Sequence, residues 1–303
     1  IPDSDYKEIL RKFPELLEQS FDDDHTKIKI THRILTGEAK PCRAKVRRLL
    51  PGSPKAIQAE KDFLELERLG IIERVNPEDA NTWSSPIHFV DKGDGTLRPV
   101  GDYRLLNDKT ELDLYNLPHL RDFQLLIAGS KVFSKVDLRK AFHLISIDKR
   151  DQFKTCVATQ WGMFNFKRLA MGMRNSAQAF QRLVDSVLNG LEDTFCYLDD
   201  ILIFSKDEES HKKTLEELFR KLAKAGLSVA TSKCQFGQSS LEYLGYVVSA
   251  EGISPMPKKV DALQNFPAPT KQKELLAFLG HAVSVQDLRH TLLELGERQY
   301  PAS

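Results

Sequence analysis

Residues 195–204 read FCYLDDILIF, an apolar stretch broken by two adjacent carboxylates, Asp199 and Asp200. Adjacent acidic residues are most often found in turns or at helix caps, and that structural interpretation is the first alternative. The apolar neighbours on both sides instead predict a buried strand or hairpin. Two ionised carboxylates in such a place are costly unless a cation compensates their charge. The stretch therefore predicts a cation-binding site within a sheet.

A third carboxylate ends another apolar strand. Residues 131–136 read KVFSKV, which is rich in β-branched and aromatic residues, and Asp137 follows directly. An acidic residue in this place is equally suited to capping a following helix. If the two strands are neighbours, however, Asp137, Asp199 and Asp200 form a set of oxygen ligands suited to Mg²⁺. Two such ions can activate an attacking hydroxyl and stabilise a leaving oxygen in phosphoryl transfer.

The sequence around these acids alternates predicted helices and strands. Ser176 is placed to cap a helix that Gly190 ends, and a second helix ends at Gly226. Their apolar faces are formed by Phe180, Leu183, Val184, Val187 and Leu188, and by Leu215, Leu218, Phe219, Leu222 and Ala223. His211, on the second apolar face, is expected to be a core histidine rather than a ligand. With two or three short strands over residues 229–248, the pattern predicts an α+β fold in which helices pack on a mostly antiparallel sheet.

The N-terminal third is less regular. In residues 1–50 the apolar side chains recur at no sustained period. This pattern predicts a lead-in segment that packs loosely or pairs at a sheet edge. A helix follows Pro54 and ends at Gly70, with an apolar stripe of Ile57, Phe63, Leu64, Leu66 and Leu69. Residues 83–90 and 97–103, on either side of a turn at residues 92–95, predict a hairpin.

Composition narrows the class of protein. The 303 residues are 41% hydrophobic and 29% charged, which excludes a disordered or fibrous chain, and no apolar run approaches the length of a membrane span. The four cysteines lie tens of residues apart, which argues against a disulfide framework or a zinc site and favours a reducing compartment. The net charge of +1 neither requires nor excludes a nucleic-acid partner, and the basic run of residues 40–48 predicts a solvated face.

Several blocks together resemble a known family. YLDD at 197–200, FSKVDLRKAF at 133–142 and RPVGDYRLLN at 98–107 resemble the core motifs of reverse transcriptases. Their order, with WSSPIHFV at 83–90 before them and YLGYVVSAEGISP at 243–255 after them, is similar to the gypsy-type (Metaviridae) branch of long-terminal-repeat retrotransposons. The resemblance runs from about residue 30 to about residue 280. It implies a reverse transcriptase-like right hand with fingers, palm and a truncated thumb, and an RNA-directed DNA polymerase, a nucleotidyltransferase of the DNA/RNA polymerase superfamily.

The resemblance also implies roles for individual residues. Asp137, Asp199 and Asp200 would be the catalytic acids and, with the carbonyl of Leu138, would hold two Mg²⁺ ions, for which Mn²⁺ can substitute. The implied nucleotide-binding residues are Lys92, Arg98, Phe142, Met171, Gly172 and Lys233. The implied template and primer contacts are Pro86, Asp102, Tyr103, Arg104, Asn107, Tyr197, Leu244, Gly245 and Tyr246.

Two of these residues have alternative interpretations. The ring of Phe142 would exclude a 2′-hydroxyl beneath the sugar, but a core phenylalanine would explain the residue equally well. Lys92 would reach the triphosphate, but an exposed hairpin cation is the alternative. The sequence also departs from the family at three positions, since Ala170 and Ala177 stand where proline is usual and Met171 stands where Phe or Gln is usual. The missing prolines leave the nucleotide-pocket loop freer but remove no catalytic group.

The same resemblance divides the chain. Residues 1–50 are expected to be a lead-in segment after a missing protease, 51–253 the fingers and palm, 254–280 the start of a thumb, and 281–303 a tail that does not match the family. The first residue is Ile1 rather than Met, which indicates a processed piece or a fragment of a longer polyprotein that would also carry ribonuclease H and integrase domains.

The predicted function is a reverse transcriptase module of a retrotransposon Pol polyprotein. Its expected partners are a primed RNA or DNA template and a deoxynucleoside triphosphate, with no membrane, and its expected location is intracellular and cytoplasmic, in a virus-like particle for an intact element. One alternative is an inactive or co-opted remnant that folds, and binds nucleic acid at most, without polymerising. A metal-dependent phosphodiesterase is disfavoured because no candidate general base or water-positioning histidine accompanies the acids.

Overall fold

A computed structural model describes residues 3–18, 21, 30–76, 83–91 and 97–258, and the isolated positions 261, 265, 267, 271, 272, 274 and 275. Lys92, the turn at residues 92–95, most of the expected thumb and the whole of residues 281–303 lie outside the described residues. The predicted domain boundaries therefore stay predictions. Within the described part, every helix is too short or too polar to cross a lipid bilayer.

Six α-helices are found among the described residues. They are α1 (Asp3–Arg11), α2 (Pro54–Arg68), α3 (Arg104–Asn107), α4 (Leu120–Leu126), α5 (Ser176–Leu188) and α6 (Glu208–Ala225). The helices predicted before Gly190 and Gly226 are confirmed as α5 and α6, and Gly226 ends α6 with a left-handed φ of 75°.

The strands of the described residues are short. They are β1 (Thr31–His32), β2 (Ile72–Arg74), β3 (Ser85–Asp91), β4 (Leu97–Gly101), β5 (Val132–Asp137), β6 (Ser146–Ile147), β7 (Val157–Thr159), β8 (Gly162–Phe166), β9 (Thr194–Tyr197), β10 (Asp200–Ser205), β11 (Gln235–Gln238), β12 (Ser240–Tyr243), β13 (Tyr246–Ser249) and β14 (Gly252–Pro255). The predicted hairpin is confirmed as β3 and β4, which pair antiparallel.

The central sheet has the order β11-β5-β10-β9, and all of its pairs are antiparallel. Because side chains alternate along a strand, β5, β9 and β10 each contribute to two cores. Val136 and Ile201 belong to the core that also contains residues of α5 and α6. Phe133 and Leu202 belong to a second core, shared with Tyr243 of β12. The sheet is thus covered on both faces.

Three further sheets are found among the described residues, one of which is the parallel pair of β1 and β6. A five-stranded sheet has the order β2-β8-β7-β3-β4, in which only the β3–β7 pair is parallel, and β12, β13 and β14 form an antiparallel sheet of their own. The predicted α+β fold with mostly antiparallel sheets is therefore confirmed.

Some local expectations are wrong. Residues 1–50 do not all pack loosely, because α1 buries Tyr6, Ile9 and Leu10 in the main core. The alternative, pairing at a sheet edge, holds for β1, which pairs with β6. The expected stripe of α2 is displaced, since Ile57 is 59% exposed and the buried face is formed by Ala56, Ala59 and Phe63.

The start of α5 also differs from the expectation. Asn175, with a left-handed φ of 69°, is the cap residue, and the Ser176 hydroxyl donates to the carbonyl of Ala170 instead of capping the helix.

His211 is a core histidine, as expected. Its side chain is fully buried, and its two ring nitrogens lie 2.6 Å from the Ser134 hydroxyl and 3.0 Å from the Ser205 hydroxyl. Burial lowers the pKa of His211 from 6.5 to about 4. The folded protein therefore holds this ring neutral under conditions in which the unfolded chain protonates it.

We expect this histidine to make the protein acid-sensitive. Its contribution to stability is fully present above the unfolded pKa of about 6.5 and is lost as the pH falls toward about 4. Between pH 7.5 and 5.0 we expect His211 to lower the free energy of unfolding by about 2 kcal/mol. Urea denaturation at the two pH values measures this change. A His211→Asn variant should lose less over the same interval, and parallel pH profiles for the two proteins would contradict the prediction.

Candidate active site

The register of the central sheet brings the predicted acids together. Asp200, the first residue of β10, pairs directly with Asp137, the last residue of β5. Asp199 lies in the two-residue turn between β9 and β10, and its carbonyl accepts a hydrogen bond of 2.9 Å from the backbone N–H of Leu138. The three acidic residues thus lie at one end of the sheet, although Asp137 precedes the other two by more than sixty residues.

Two lysines neutralise part of this charge. The Lys135 ammonium lies 2.9 Å from Oδ1 of Asp200, and the Lys233 ammonium lies 3.3 Å from Oδ2 of Asp137. Burial, together with the carboxylates of Asp200 and Asp137, raises the pKa of Asp199. Among the described residues, two ammonium groups thus face three carboxylates, and Asp199 is the one whose pKa is raised.

The donor set is chemically suited to a divalent cation, because carboxylate and carbonyl oxygens are the ligands that Mg²⁺ prefers. The two ammonium groups already occupy cation positions against Asp137 and Asp200. In the present side-chain arrangement no three His, Cys, Asp or Glu side chains of the described residues converge closely enough to hold one ion. The assignment of these residues and of Leu138 as metal ligands stays a prediction.

Sequence reasoning did not identify Lys135. Its signal is the two-residue period of β5, which places Lys135 on the same face as Phe133 and Asp137. A lysine inside an otherwise apolar strand needs a negatively charged partner, and Asp200 on the neighbouring strand supplies it.

Three of the predicted nucleotide-binding residues, Arg98, Met171 and Gly172, lie close to one another. The amide nitrogen of Asn107 donates to the carbonyl of Gly172 over 2.8 Å, and an Arg98 guanidinium nitrogen lies 3.3 Å from the sulfur of Met171. Gly172 has a left-handed φ of 86°, which suits glycine. The side chains of Arg98 and Met171 are exposed, so both remain accessible to a ligand.

Phe142 lies on a short 3₁₀ turn (Ala141–Leu144) after β5. Its ring is half-buried and stacks on Phe180 of α5, with 4.7 Å between the ring centroids and 26° between the planes. The ring is therefore fixed against the core while part of its surface stays open. This geometry is compatible with both of the interpretations that the sequence left open.

The predicted template contacts on the fingers divide into two groups. Asp102 is bound by two guanidinium groups, those of Arg104 at 2.7 Å and Arg47 at 2.9 Å, and these hydrogen bonds hold the pKa of its carboxyl well below its usual range. Arg104 and Arg47 are 80% and 48% exposed, so they carry accessible positive charge.

Tyr103 and Pro86 form the second group, because both side chains are buried. Tyr103 is 2% exposed and donates its hydroxyl to the carbonyl of Thr155, so its side chain is part of the core. The template contacts of both residues stay predictions.

The predicted primer contacts lie on the hairpin of β12 and β13. Leu244 and Gly245 form its two-residue turn, with left-handed φ angles of 49° and 81°, and Tyr246 is largely buried. Tyr243, which sequence reasoning did not single out, donates its hydroxyl to the carbonyl of Asp200 over 2.9 Å. The hairpin is thus tied to the strand that carries the acids, next to Tyr197, which pairs with Asp200.

Comparison with known proteins gives a consistent result. The family model for reverse transcriptase (RNA-dependent DNA polymerase) matches residues 90–248, slightly more than half of the chain. The retrovirus-related Pol polyprotein from transposon 297 of Drosophila melanogaster is 36% identical over 227 residues, which are 74% of this chain and 21% of that protein. The polyprotein of transposon Tf2-3 of Schizosaccharomyces pombe is 33% identical over 253 residues, 83% of this chain and 18% of that protein.

A solved structure supports the same grouping. The foamy viral protease-reverse transcriptase in complex with RNA/DNA hybrid has a TM-score of 0.77 and 26% sequence identity, covering 91% of this chain and 37% of that chain. The present chain spans about a fifth of the length of the transposon polyproteins that it matches.

Proposed function

This chain belongs to the reverse transcriptase family of retrotransposon Pol polyproteins, and we propose that it is itself an RNA-directed DNA polymerase module. In the proposed reaction the 3′-hydroxyl oxygen of a primer forms a bond to the α-phosphorus of a deoxynucleoside triphosphate. The bond from that phosphorus to the bridging oxygen breaks, pyrophosphate leaves, and the hydroxyl proton is lost. The observation that carries the proposal is the pairing of Asp137 with Asp200 beside the Asp199 turn.

We propose that Asp137, Asp199, Asp200 and the Leu138 carbonyl hold divalent cations, Mg²⁺ or Mn²⁺. When bound, such ions lower the pKa of the attacking hydroxyl and neutralise charge on the leaving phosphate. The chain's own residues position the reactants. Arg98 and Lys233 offer exposed positive charge to the triphosphate, and the hairpin turn at Leu244 and Gly245 offers a rigid surface to the primer end.

Nucleic-acid binding follows from the same proposal. Related structures are complexes with RNA/DNA hybrid and with double-stranded DNA. In this chain the guanidinium groups of Arg47 and Arg104, oriented by Asp102, are suited to template phosphates. Contacts of this kind are independent of base sequence and weaken with added salt.

The remaining parts of the function concern the longer protein. We propose that the chain works as part of a Pol polyprotein that also carries protease, ribonuclease H and integrase activities. We further propose that it works inside the cell, in the cytoplasm, as expected for an element that copies RNA within a particle.

Primer extension tests the proposal. The protein is incubated with a DNA primer on an RNA template, all four deoxynucleoside triphosphates, and Mg²⁺ or Mn²⁺. Lengthened primers are expected, and their yield should fall steeply as salt rises. Shortened primers would indicate a phosphodiesterase instead. Unchanged primers from a protein with a native circular dichroism spectrum would contradict the proposal and favour the inactive remnant.

A further inference from the structure

The turn that carries Asp199 is under backbone strain. The preceding residue, Leu198, has a φ of 55°, a left-handed conformation that is unfavourable for a residue with a branched side chain. Nothing in the local sequence, such as glycine, relieves this strain. The turn is therefore held in place by contacts from elsewhere in the fold.

One such contact comes from Gln181 on α5. Its side chain is fully buried and reaches two backbone groups, one in β9 and one in the turn. Oε1 accepts a hydrogen bond of 2.8 Å from the backbone N–H of Leu198, and Nε2 donates one of 3.0 Å to the carbonyl of Cys196. A single amide group thus joins the end of β9 to the turn that carries Asp199.

A second layer fixes the orientation of that amide. Nε2 of Gln181 also donates to Oδ1 of Asp185 over 2.8 Å, and Oδ2 of Asp185 accepts a hydrogen bond of 2.6 Å from the Tyr115 hydroxyl. An ionised carboxylate can only accept, so the NH₂ end of the amide must face Asp185 and the oxygen must face Leu198. Asp185 therefore reinforces the orientation of the Gln181 amide that the backbone N–H of Leu198 and the carbonyl of Cys196 also require.

Tyr115 is well suited to be the outer member of this network. Its hydrogen bond to Asp185 raises its pKa to about 12, so the hydroxyl remains a donor at every physiological pH. The guanidinium of Arg182 lies 4.6 Å from the centre of its ring and also binds Asp113. Tyr115, which lies about seventy residues before α5 residue Asp185, is thus held against α5 by Arg182 as well as by Asp185.

We propose that Gln181, oriented by Asp185 and Tyr115, is a positioning residue that sets the place of the Asp199 carboxylate. The inference rests on the proposed function, because it assumes that Asp199 acts in primer extension. Gln181 itself would touch neither the substrate nor a cation. The Leu138 N–H holds the turn from β5, and Gln181 holds it from α5, so Asp199 is fixed from both sides. Loss of the Gln181 hydrogen bonds should therefore displace the Asp199 carboxylate while the overall fold is kept.

The test compares Gln181→Met with Gln152→Met. Gln152 also binds a backbone carbonyl through its amide, that of Ile147, but lies in another part of the fold. For Gln181→Met we expect kcat of primer extension to fall about 10- to 100-fold, with little change in the KM for the triphosphate. This range is typical of residues that hold a metal ligand in place without binding the metal themselves. Backbone amide exchange at Leu198 should accelerate, and Mn²⁺ alone, titrated by electron paramagnetic resonance, should bind more weakly. Gln152→Met should change none of these.

Two further variants keep the test decisive. Asp185→Asn removes the charge of the acceptor that faces Nε2 of Gln181, and Tyr115→Phe removes only the outer donor, so the loss of kcat should decrease from Gln181→Met to Asp185→Asn to Tyr115→Phe. If Gln181→Met fails to fold, Asp185→Asn carries the test. If the wild-type protein does not extend primers, the proposed function fails, while exchange at Leu198 and the Mn²⁺ titration still report on the network. Unchanged exchange and unchanged Mn²⁺ affinity in both variants would overturn the inference.

Discussion

Asp199→Asn is expected to abolish primer extension, with a loss of about 10³-fold or more in rate, while the protein stays as stable as the wild type or becomes more stable. The activity is lost because a neutral amide cannot supply the charge that holds a divalent cation. The stability is kept because burial and two neighbouring carboxylates raise the pKa of Asp199. A group with a raised folded-state pKa is destabilising when ionised, so a neutral replacement removes a cost at pH 7.

Loss of activity together with unchanged or higher stability distinguishes loss of a catalytic group from misfolding. Most substitutions lower stability, and a protein that lost activity through misfolding would have a lower Tm. Asp193→Asn is the matched control, because Asp193 is exposed and lies in the turn before β9, where its left-handed φ of 56° suits asparagine as well. That variant should retain both extension and Tm. Residual extension by Asp199→Asn at a tenth of the wild-type rate would rule out the catalytic role of Asp199.

The sequence places Asp137 at the end of one strand and the Asp199–Asp200 pair within another apolar stretch, so it predicts a joint site only if the two strands are neighbours. The pairing of β5 with β10 meets that condition. Adjacent carboxylates within FCYLDDILIF have few stable places other than a hairpin turn at a sheet end. The contacts that hold this turn could not be predicted in the same way. Gln181 occupies one position on a largely apolar helix face, and nothing in the local sequence indicates which backbone groups its amide will reach.

The errors in the fold have a related cause. The helix α1 is nine residues long, too short for its period to be distinguished from an irregular segment, and its burial depends on α6, two hundred residues later. The buried face of α2 is formed mainly by alanines, whose small apolar surface gives a weaker signal than Ile57 or Leu64 on the exposed side. In both cases tertiary contacts, rather than local pattern, decide which residues are buried.

Phe142→Ala is expected to raise the incorporation of ribonucleotides relative to deoxynucleotides by about 10²-fold. The ring stacks on Phe180 and cannot move aside easily, so a hydroxyl placed against it would lose its hydration and gain no hydrogen bond. Alanine removes the obstruction and leaves space for the 2′-hydroxyl. The measurement is the ratio of kcat/KM for a ribonucleotide and its deoxy counterpart, taken in single-nucleotide extension.

The matched control keeps the ring and changes its polarity. Phe142→Tyr preserves the stack on Phe180, so the selectivity should remain close to that of the wild type even if the rate changes. Phe142→Ala also removes part of a half-buried ring and should lower stability, but a stability loss alone would reduce both rates together and leave their ratio unchanged. A constant ratio in a folded Phe142→Ala protein would therefore identify Phe142 as a core residue, which is the alternative that its contact with Phe180 also supports.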